Sequence, residues 1–133
     1  MRHDFPIRVY YEDTDLAGIV YYANYLKFIE RGRSEWVRDL GVDQVALKRD
    51  QGLVFAVRRV EADYLKPAKF DDALTVSTEL VAETGARFIV EQGVWRGTEK
   101  LFAATVTIVC LTEAGAAARL PAEMRRKLAP PLH

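Results

Sequence analysis

Only one stretch of this chain carries the pattern of a substantial helix, and nearly everything after it reads as strand. From about residue 22 to 40 the apolar positions Tyr25, Ile29, Trp36 and Leu40, with Gly32 between, recur at intervals of four, three, four and four, which is one helical stripe. Gly41 follows as a left-handed cap, and Arg31 with Glu35 make an i,i+4 pair of opposite charge on the helix surface. Residues 43–50 are expected to form a second, short helix before Gly52. Beyond Gly52 the period falls to two. Residues 53–65 are strand-like, and Leu74, Val76, Thr78, Leu80 and Ala82 alternate with Thr75, Ser77, Glu79, Val81 and Glu83 as a half-buried strand. Thr84-Gly85 marks a hairpin turn, 86–95 a strand, and Arg96-Gly97-Thr98 another turn. Residues 101–111 are apolar on both faces, which predicts a central strand. Before the helix, 7–11 is a short strand ended by Glu12-Asp13-Thr14-Asp15. Pro121 opens a short basic helix over 122–128, and residues 129–133 are read as a loose tail.

This order of strand, long helix and four-stranded antiparallel meander predicts an α+β domain spanning residues 1–133. A helix of nearly 20 residues is about 30 Å long, and a five-stranded antiparallel sheet can wrap around it. With 133 residues, half of them hydrophobic, the chain can bury one core without staples, and a second domain does not fit.

Charge and rare residues narrow the chemistry. Nineteen basic side chains balance nineteen acidic ones, so no global field holds a polyanion, and a dedicated nucleic-acid binder is disfavoured. A single cysteine, Cys110, excludes an internal disulfide and a multi-cysteine metal site, and its place in a strand pattern predicts a buried, inert thiol. The first residues carry charge and Pro6 where a secretory signal needs an apolar run, and no stretch of 18 uninterrupted apolar residues occurs, so a cytoplasmic protein without membrane insertion is expected. The only histidines, His3 and His133, lie at the chain ends, where fraying is the default. Catalysis by an imidazole therefore lacks a well-placed group, and a carboxylate, tyrosine, lysine or backbone dipole must do any chemistry.

The segment Asp13-Thr14-Asp15-Leu16-Ala17-Gly18-Ile19-Val20-Tyr21-Tyr22 sets two carboxylates, a glycine and apolar residues just before the helix start. Free backbone N–H groups and the positive end of the helix dipole lie there. Such an N–H can hold a carbonyl oxygen that becomes an oxyanion, with a carboxylate about seven residues upstream as base or nucleophile. The same pattern also fits an Asp that only caps the helix.

The stretches Arg8-Val9-Tyr10-Tyr11-Glu12-Asp13-Thr14-Asp15, Gly18-Ile19-Val20-Tyr21, Asn24-Tyr25-Leu26, Phe28 and Glu30-Arg31 with Arg33 and Glu35 resemble the acyl-CoA thioesterases of the hotdog fold. The nearest group is the Tol-Pal-associated, YbgC-like branch, with the 4-hydroxybenzoyl-CoA thioesterases close by. Tyr64-Leu65-Lys66-Pro67-Ala68 and Phe70-Asp71-Asp72 resemble the family's second stretch. The resemblance implies that Asp15 is the catalytic carboxylate, as nucleophile or general base, and that the backbone N–H of Tyr22 is the oxyanion donor. Gly18 would let the chain approach the thioester closely. Tyr11 matches a tyrosine near the family's site, and a core or edge-strand tyrosine is the other reading. One departure stands out: YbgC-like members carry His where this chain has Tyr22, whereas the hydroxybenzoyl branch tends to have an aromatic residue there.

The resemblance also implies an acyl-CoA substrate, no cofactor beyond the coenzyme A of that substrate, and homodimers with joined sheets pairing into homotetramers. Acyl-carrier-protein thioesters are a further possible substrate form. Lys66, Arg87 and Arg119 are the candidates for the coenzyme A phosphates, contacts that the family often makes across a subunit boundary. Glu30, Arg33 and Glu35 read as an ion-pair network or subunit contact, Asp71-Asp72 as a turn, not a metal site, and Trp36 and Trp95 as packing residues. The expected function is acyl-CoA thioester hydrolysis. Its alternatives are a hotdog dehydratase or isomerase, which would need a site histidine, and a non-catalytic acyl-CoA-binding or Tol-Pal envelope adaptor.

Overall fold

The computed structural model describes residues 2–128, so the reading of 129–133 as a loose tail lies outside the described residues. Five strands, β1 (His3–Arg8), β2 (Leu53–Tyr64), β3 (Ala73–Glu83), β4 (Arg87–Arg96) and β5 (Glu99–Thr112), form one antiparallel sheet in the order β1-β3-β4-β5-β2. The long helix α1 (Asn24–Asp39) lies on one face of this sheet, flanked by α2 (Gln44–Gln51) and α3 (Ala122–Leu128). This is the hotdog arrangement of a sheet around one helix. The core fills the space between, with Phe28, Ile29 and Trp36 of α1 against Val76, Phe88, Val90, Phe102 and Val106 of the sheet.

Three expectations need correction. The meander has three strands, not four: β3, β4 and β5 follow one another through tight turns, while β2 pairs with β5 at the far edge. Residues 65–72 therefore cross the sheet instead of closing a hairpin, a connection that local turn signals do not reveal. The first strand covers His3–Arg8 instead of 7–11, because its pairing with β3 runs from His3 opposite Thr78 to Arg8 opposite Ala73. Pro6 fits because β1 is an edge. The surface pair on α1 is Arg38 with Glu35, not Arg31 with Glu35.

Other expectations hold. β5 lies inside the sheet between β4 and β2. Asp43 caps α2, its Oδ1 accepting the Ala46 N–H at 3.0 Å. Cys110 is buried, and burial pushes its thiol upward from the ordinary range. Trp36 packs in the core; Trp95 lies between Arg2 and Lys100 and donates its Nε1–H to Ser77 Oγ.

The helix is tied to the sheet by a small polar node as well as by packing. Gln92, buried on β4, donates through Nε2 to the Ile29 carbonyl at 2.8 Å and to Thr78 Oγ1 at 2.9 Å. Its Oε1 accepts from Arg33 Nη1 at 2.9 Å. Arg33 was expected in an ion-pair network, but among the described residues its hydrogen bond goes to this neutral amide, and burial lowers its pKa. His3 is not frayed: it belongs to β1, and its Nε2 lies 2.7 Å from Asp39 Oδ2 at the last residue of α1.

Candidate active site

The loop between β1 and α1 is laid across the end of the sheet by backbone bonds. Val9 N–H donates to Asp72 O at 3.0 Å, Asp71 N–H to Val9 O at 2.9 Å and Val20 N–H to Ala68 O at 2.9 Å, so loop 9–22 is stitched to the 65–72 connection. Inside it, Tyr11–Asp13 make a 3₁₀ turn. Asp13 is buried and organises its neighbours: Oδ2 accepts the Tyr10 N–H at 2.8 Å, and its carbonyl accepts the Tyr21 N–H and Asn24 Nδ2, each at 2.9 Å. Of the two carboxylates in this stretch, Asp13 is thereby committed to structure.

Asp15 is held differently. Its N–H donates to Ile19 O and its carbonyl accepts the Gly18 N–H, both at 2.9 Å, so residues 15–18 form a tight exposed turn. The carboxylate accepts the Ala17 N–H on Oδ1 at 2.9 Å, and its other oxygen has no partner among the described residues. Gly18 has φ 79°, and an added Cβ would meet nothing within 4 Å, so within this chain the left-handed turn is what requires glycine. The capping role for Asp15 is excluded: α1 starts at Asn24, its N-cap position is Ala23, and no side chain caps it.

Tyr22 is therefore not the first helical residue; it sits two positions earlier, in a turn closed by Asn24 N–H donating to Tyr21 O at 2.9 Å. The N–H groups of Tyr22 and Ala23 at the corner of that turn donate to no partner among the described residues. Free donors at a helix N-terminus are what a developing oxyanion needs. Around them stands an aromatic wall. Tyr64, the last residue of β2, donates its hydroxyl to Tyr22 O at 2.9 Å, and its ring meets Tyr22, Tyr25 and Phe102 edge-on. Burial, and then the neighbouring Tyr22 hydroxyl, hold the Tyr64 hydroxyl above the ordinary phenol range. Tyr21 is raised as well, by its hydrogen bond and charge interaction with Tyr22 first and, less strongly, by burial and the Asp15 carboxylate.

The other expected residues fall in two places. Tyr11 belongs to neither the core nor a strand: it is exposed, and its ring stacks on Phe70 at 4.1 Å. Lys66 is at the Asp15 end but is engaged with Glu99 at 2.8 Å, whose carboxylate Lys66 and then Arg96 hold below its usual range. Asp71 and Asp72 form a turn, Asp72 accepting from Lys69 N–H and Arg96 Nη1 and Asp71 from Arg8 Nη1. Arg87 and Arg119 belong to the other end of the sheet. There the Leu120 N–H donates to Gly85 O at 2.6 Å, seating the segment before α3 on the β3–β4 turn. A Cβ on Gly85 would lie 3.0 Å from Arg119 Nη2 and 3.4 Å from the Arg125 guanidinium. Arg125, which sequence reasoning missed, bonds to Glu83 at 2.7 Å. Tyr64 was also missed as a site residue, although it stands in the stretch that carried the second resemblance.

The sequence profile described as "Thioesterase superfamily" matches residues 17–103, about two thirds of the chain. This chain belongs to the thioesterase superfamily. Among its superfamily relatives, "Acyl-CoA thioesterase YbgC" of Haemophilus influenzae is 47% identical over 107 residues, covering 80% of this chain and 79% of that protein. "Acyl-CoA thioester hydrolase YbgC" of Escherichia coli O6:H1 is 38% identical over 108 residues, 80% of each. A solved structure described as a probable thioesterase from Bartonella henselae superposes with TM-score 0.87 at 43% identity, covering 91% of this chain and all of that one. A 4-hydroxybenzoyl CoA thioesterase mutant solved in complex with 4-hydroxybenzoyl CoA superposes with TM-score 0.90 at 21% identity over 96% of this chain and 99% of that one, a likeness of fold.

Proposed function

We propose that the protein hydrolyses acyl-CoA thioesters to the free acid and coenzyme A, with Asp15 as the catalytic carboxylate. The observation that carries this reading is the pairing of an exposed Asp15, one oxygen unpartnered, with free N–H groups at the Tyr22–Ala23 turn seven residues on. The thioester oxygen sits on the Tyr22 N–H. The Asp15 carboxylate either attacks the carbonyl carbon, giving an acyl-aspartyl anhydride that water then hydrolyses to free the acid and restore Asp15, or takes a proton from the water that attacks directly; in both routes the oxyanion forms against the turn and the helix dipole, the C–S bond breaks, and coenzyme A leaves as the thiolate and takes up a proton. Water supplies the oxygen that makes the product acid. Carboxylate, amide dipoles and water suffice, so the reaction needs no resident cofactor. The YbgC relatives, named as acyl-CoA thioesterases and thioester hydrolases, support the substrate class, and a cytoplasmic site of action is part of this reading. No helix among the described residues is long and apolar enough to cross a membrane.

The sheet supports a homodimer as part of this reading. β2 is an edge strand whose residues from Val57 to Tyr64 are exposed, and like edges pair across a two-fold axis. With the axis perpendicular to the sheet the strands run antiparallel, and the Tyr64 end of one β2 meets the Leu53 end of the other. Within one chain the Arg87–Arg119 turn and the Asp15 loop lie at opposite ends of the eleven-residue β3, about 35 Å apart, longer than coenzyme A reaches. Antiparallel pairing brings the partner's basic turn to this chain's Asp15 end. The homodimer is thus the working unit, with the tetramer a pairing of dimers.

Thiol release from acetyl-, butyryl-, palmitoyl-, benzoyl- and 4-hydroxybenzoyl-CoA, measured for wild type beside Asp15→Asn, tests the reading. Wild type should turn over at least one class, and Asp15→Asn should lose at least about two orders of magnitude in kcat with binding kept. Tight binding of the panel without thiol release would make the protein an acyl-CoA-binding adaptor instead. Full activity in Asp15→Asn would remove Asp15 from the site.

A further inference from the structure

Each of the two free N–H groups at the helix entrance belongs to a peptide whose carbonyl is already held. In a trans peptide the C=O of one residue and the N–H of the next point in opposite directions, so fixing the first aims the second. The Tyr21 carbonyl accepts the Asn24 N–H at 2.9 Å, which fixes the peptide that ends in the Tyr22 N–H. The Tyr22 carbonyl accepts the Tyr64 hydroxyl at 2.9 Å, which fixes the peptide that ends in the Ala23 N–H. The first restraint is local, three residues apart along the chain. The second reaches 42 residues ahead, to the last residue of the edge strand.

We propose that Tyr64 is a positioning residue of the active site, its hydroxyl aiming the Tyr22–Ala23 peptide so that the Ala23 N–H stands beside the Tyr22 N–H as a second oxyanion donor. The inference rests on the proposed hydrolysis and adds to it a residue and a donor. The geometry around Tyr64 fits a rigid strut. Its ring is wedged between Tyr22, Tyr25 and Phe102, with centroids 6.2, 5.5 and 5.1 Å away, and it stands opposite Phe102 in the β2–β5 register. Tyr25 is itself fixed, since its hydroxyl accepts the Ala68 N–H at 3.0 Å. These edge contacts hold one side of the Tyr64 ring and direct its O–H to the Tyr22 carbonyl. Because Tyr64 lies on the exposed edge strand, the strut also links the proposed subunit seam to the donors.

Tyr64→Phe keeps the ring and removes the bond. Thiol release should fall about ten- to a hundredfold in kcat, as expected for donors that are misaimed rather than deleted. KM should stay within twofold, and the kcat–pH profile should be scaled down without changing shape. A lost alkaline limb would make Tyr64 a proton donor instead, and wild-type kcat would leave it no part in the reaction; either result overturns the proposal. Backbone nitrogen relaxation provides a readout that does not depend on turnover: the order parameter of the Ala23 N–H should fall from about 0.85 to about 0.6 in Tyr64→Phe, with melting temperature and mass in solution unchanged. An unchanged Ala23 order parameter would refute the strut even if activity fell. The two ideas are separable, because an inactive wild type with a loosened Ala23 N–H in Tyr64→Phe would sink the hydrolysis and the donor role while leaving the strut.

Discussion

Asp13 and Asp15 are the same residue type two positions apart, and their hydrogen bonds give them different work. Asp13 is buried and holds the loop; Asp15 is exposed with a carboxylate oxygen to spare. Gly32 shows how tightly a single position can set the fold. A Cβ there would lie 2.3 Å from Val76 Cγ1, so helix and sheet approach as closely as they do only because no side chain intervenes. Gly32→Ala must push α1 off β3 and is expected to cost about 1–3 kcal/mol as overpacking, despite alanine's higher helix propensity. Thermal unfolding should show a lowered midpoint; an unchanged or raised one would mean that Val76 yields freely.

At the scale of elements, the proposed assembly rests on β2. Its first four residues are half-buried, and the remaining eight are exposed, an edge that a lone chain would leave open to pairing. Val60→Lys puts a charge in the middle of that edge. Light scattering should then give at most half the wild-type mass, with an unchanged far-ultraviolet spectrum and thiol release lost. A variant that keeps its mass would place the interface on another surface. The order β1-β3-β4-β5-β2 also explains why the 65–72 connection is long: it carries the chain across one end of the sheet and on the way provides the backbone partners of the Asp15 loop, Ala68 O and Asp72 O.

For the whole molecule the proposed site is shared. Asp15 and the donors come from one chain, and the cations Arg87 and Arg119 near Gly85 come from its partner. Arg87→Ala combined with Arg119→Ala should raise KM for acyl-CoA about tenfold or more while leaving an acyl-pantetheine substrate, which has no nucleotide phosphates, nearly unchanged. Mixing the Asp15→Asn chain with the double arginine variant gives the sharper check. Heterodimers contain one site with both Asp15 and the arginines intact, so activity at low acyl-CoA should rise on mixing above the low level of either parent. No recovery would put the cations and the carboxylate in the same chain.

The helix stripe, the short second helix, the tight turns and the burial of Cys110 were legible in the sequence, because each shows in the pattern of a few neighbouring residues. The segment around Asp15 was legible as well, through its resemblance to a family. What local pattern left open was whether Asp15 caps the helix, since a carboxylate before a helix fits that role as well; the observed start of α1 at Asn24 rules the cap out. The placement of β2 at the far edge, the bond from Tyr64 to the Tyr22 carbonyl and the seat of Arg119 on Gly85 join residues between 34 and 59 positions apart along the chain. Such contacts are chosen by how the whole sheet closes over one helix, and only the tertiary structure states that choice.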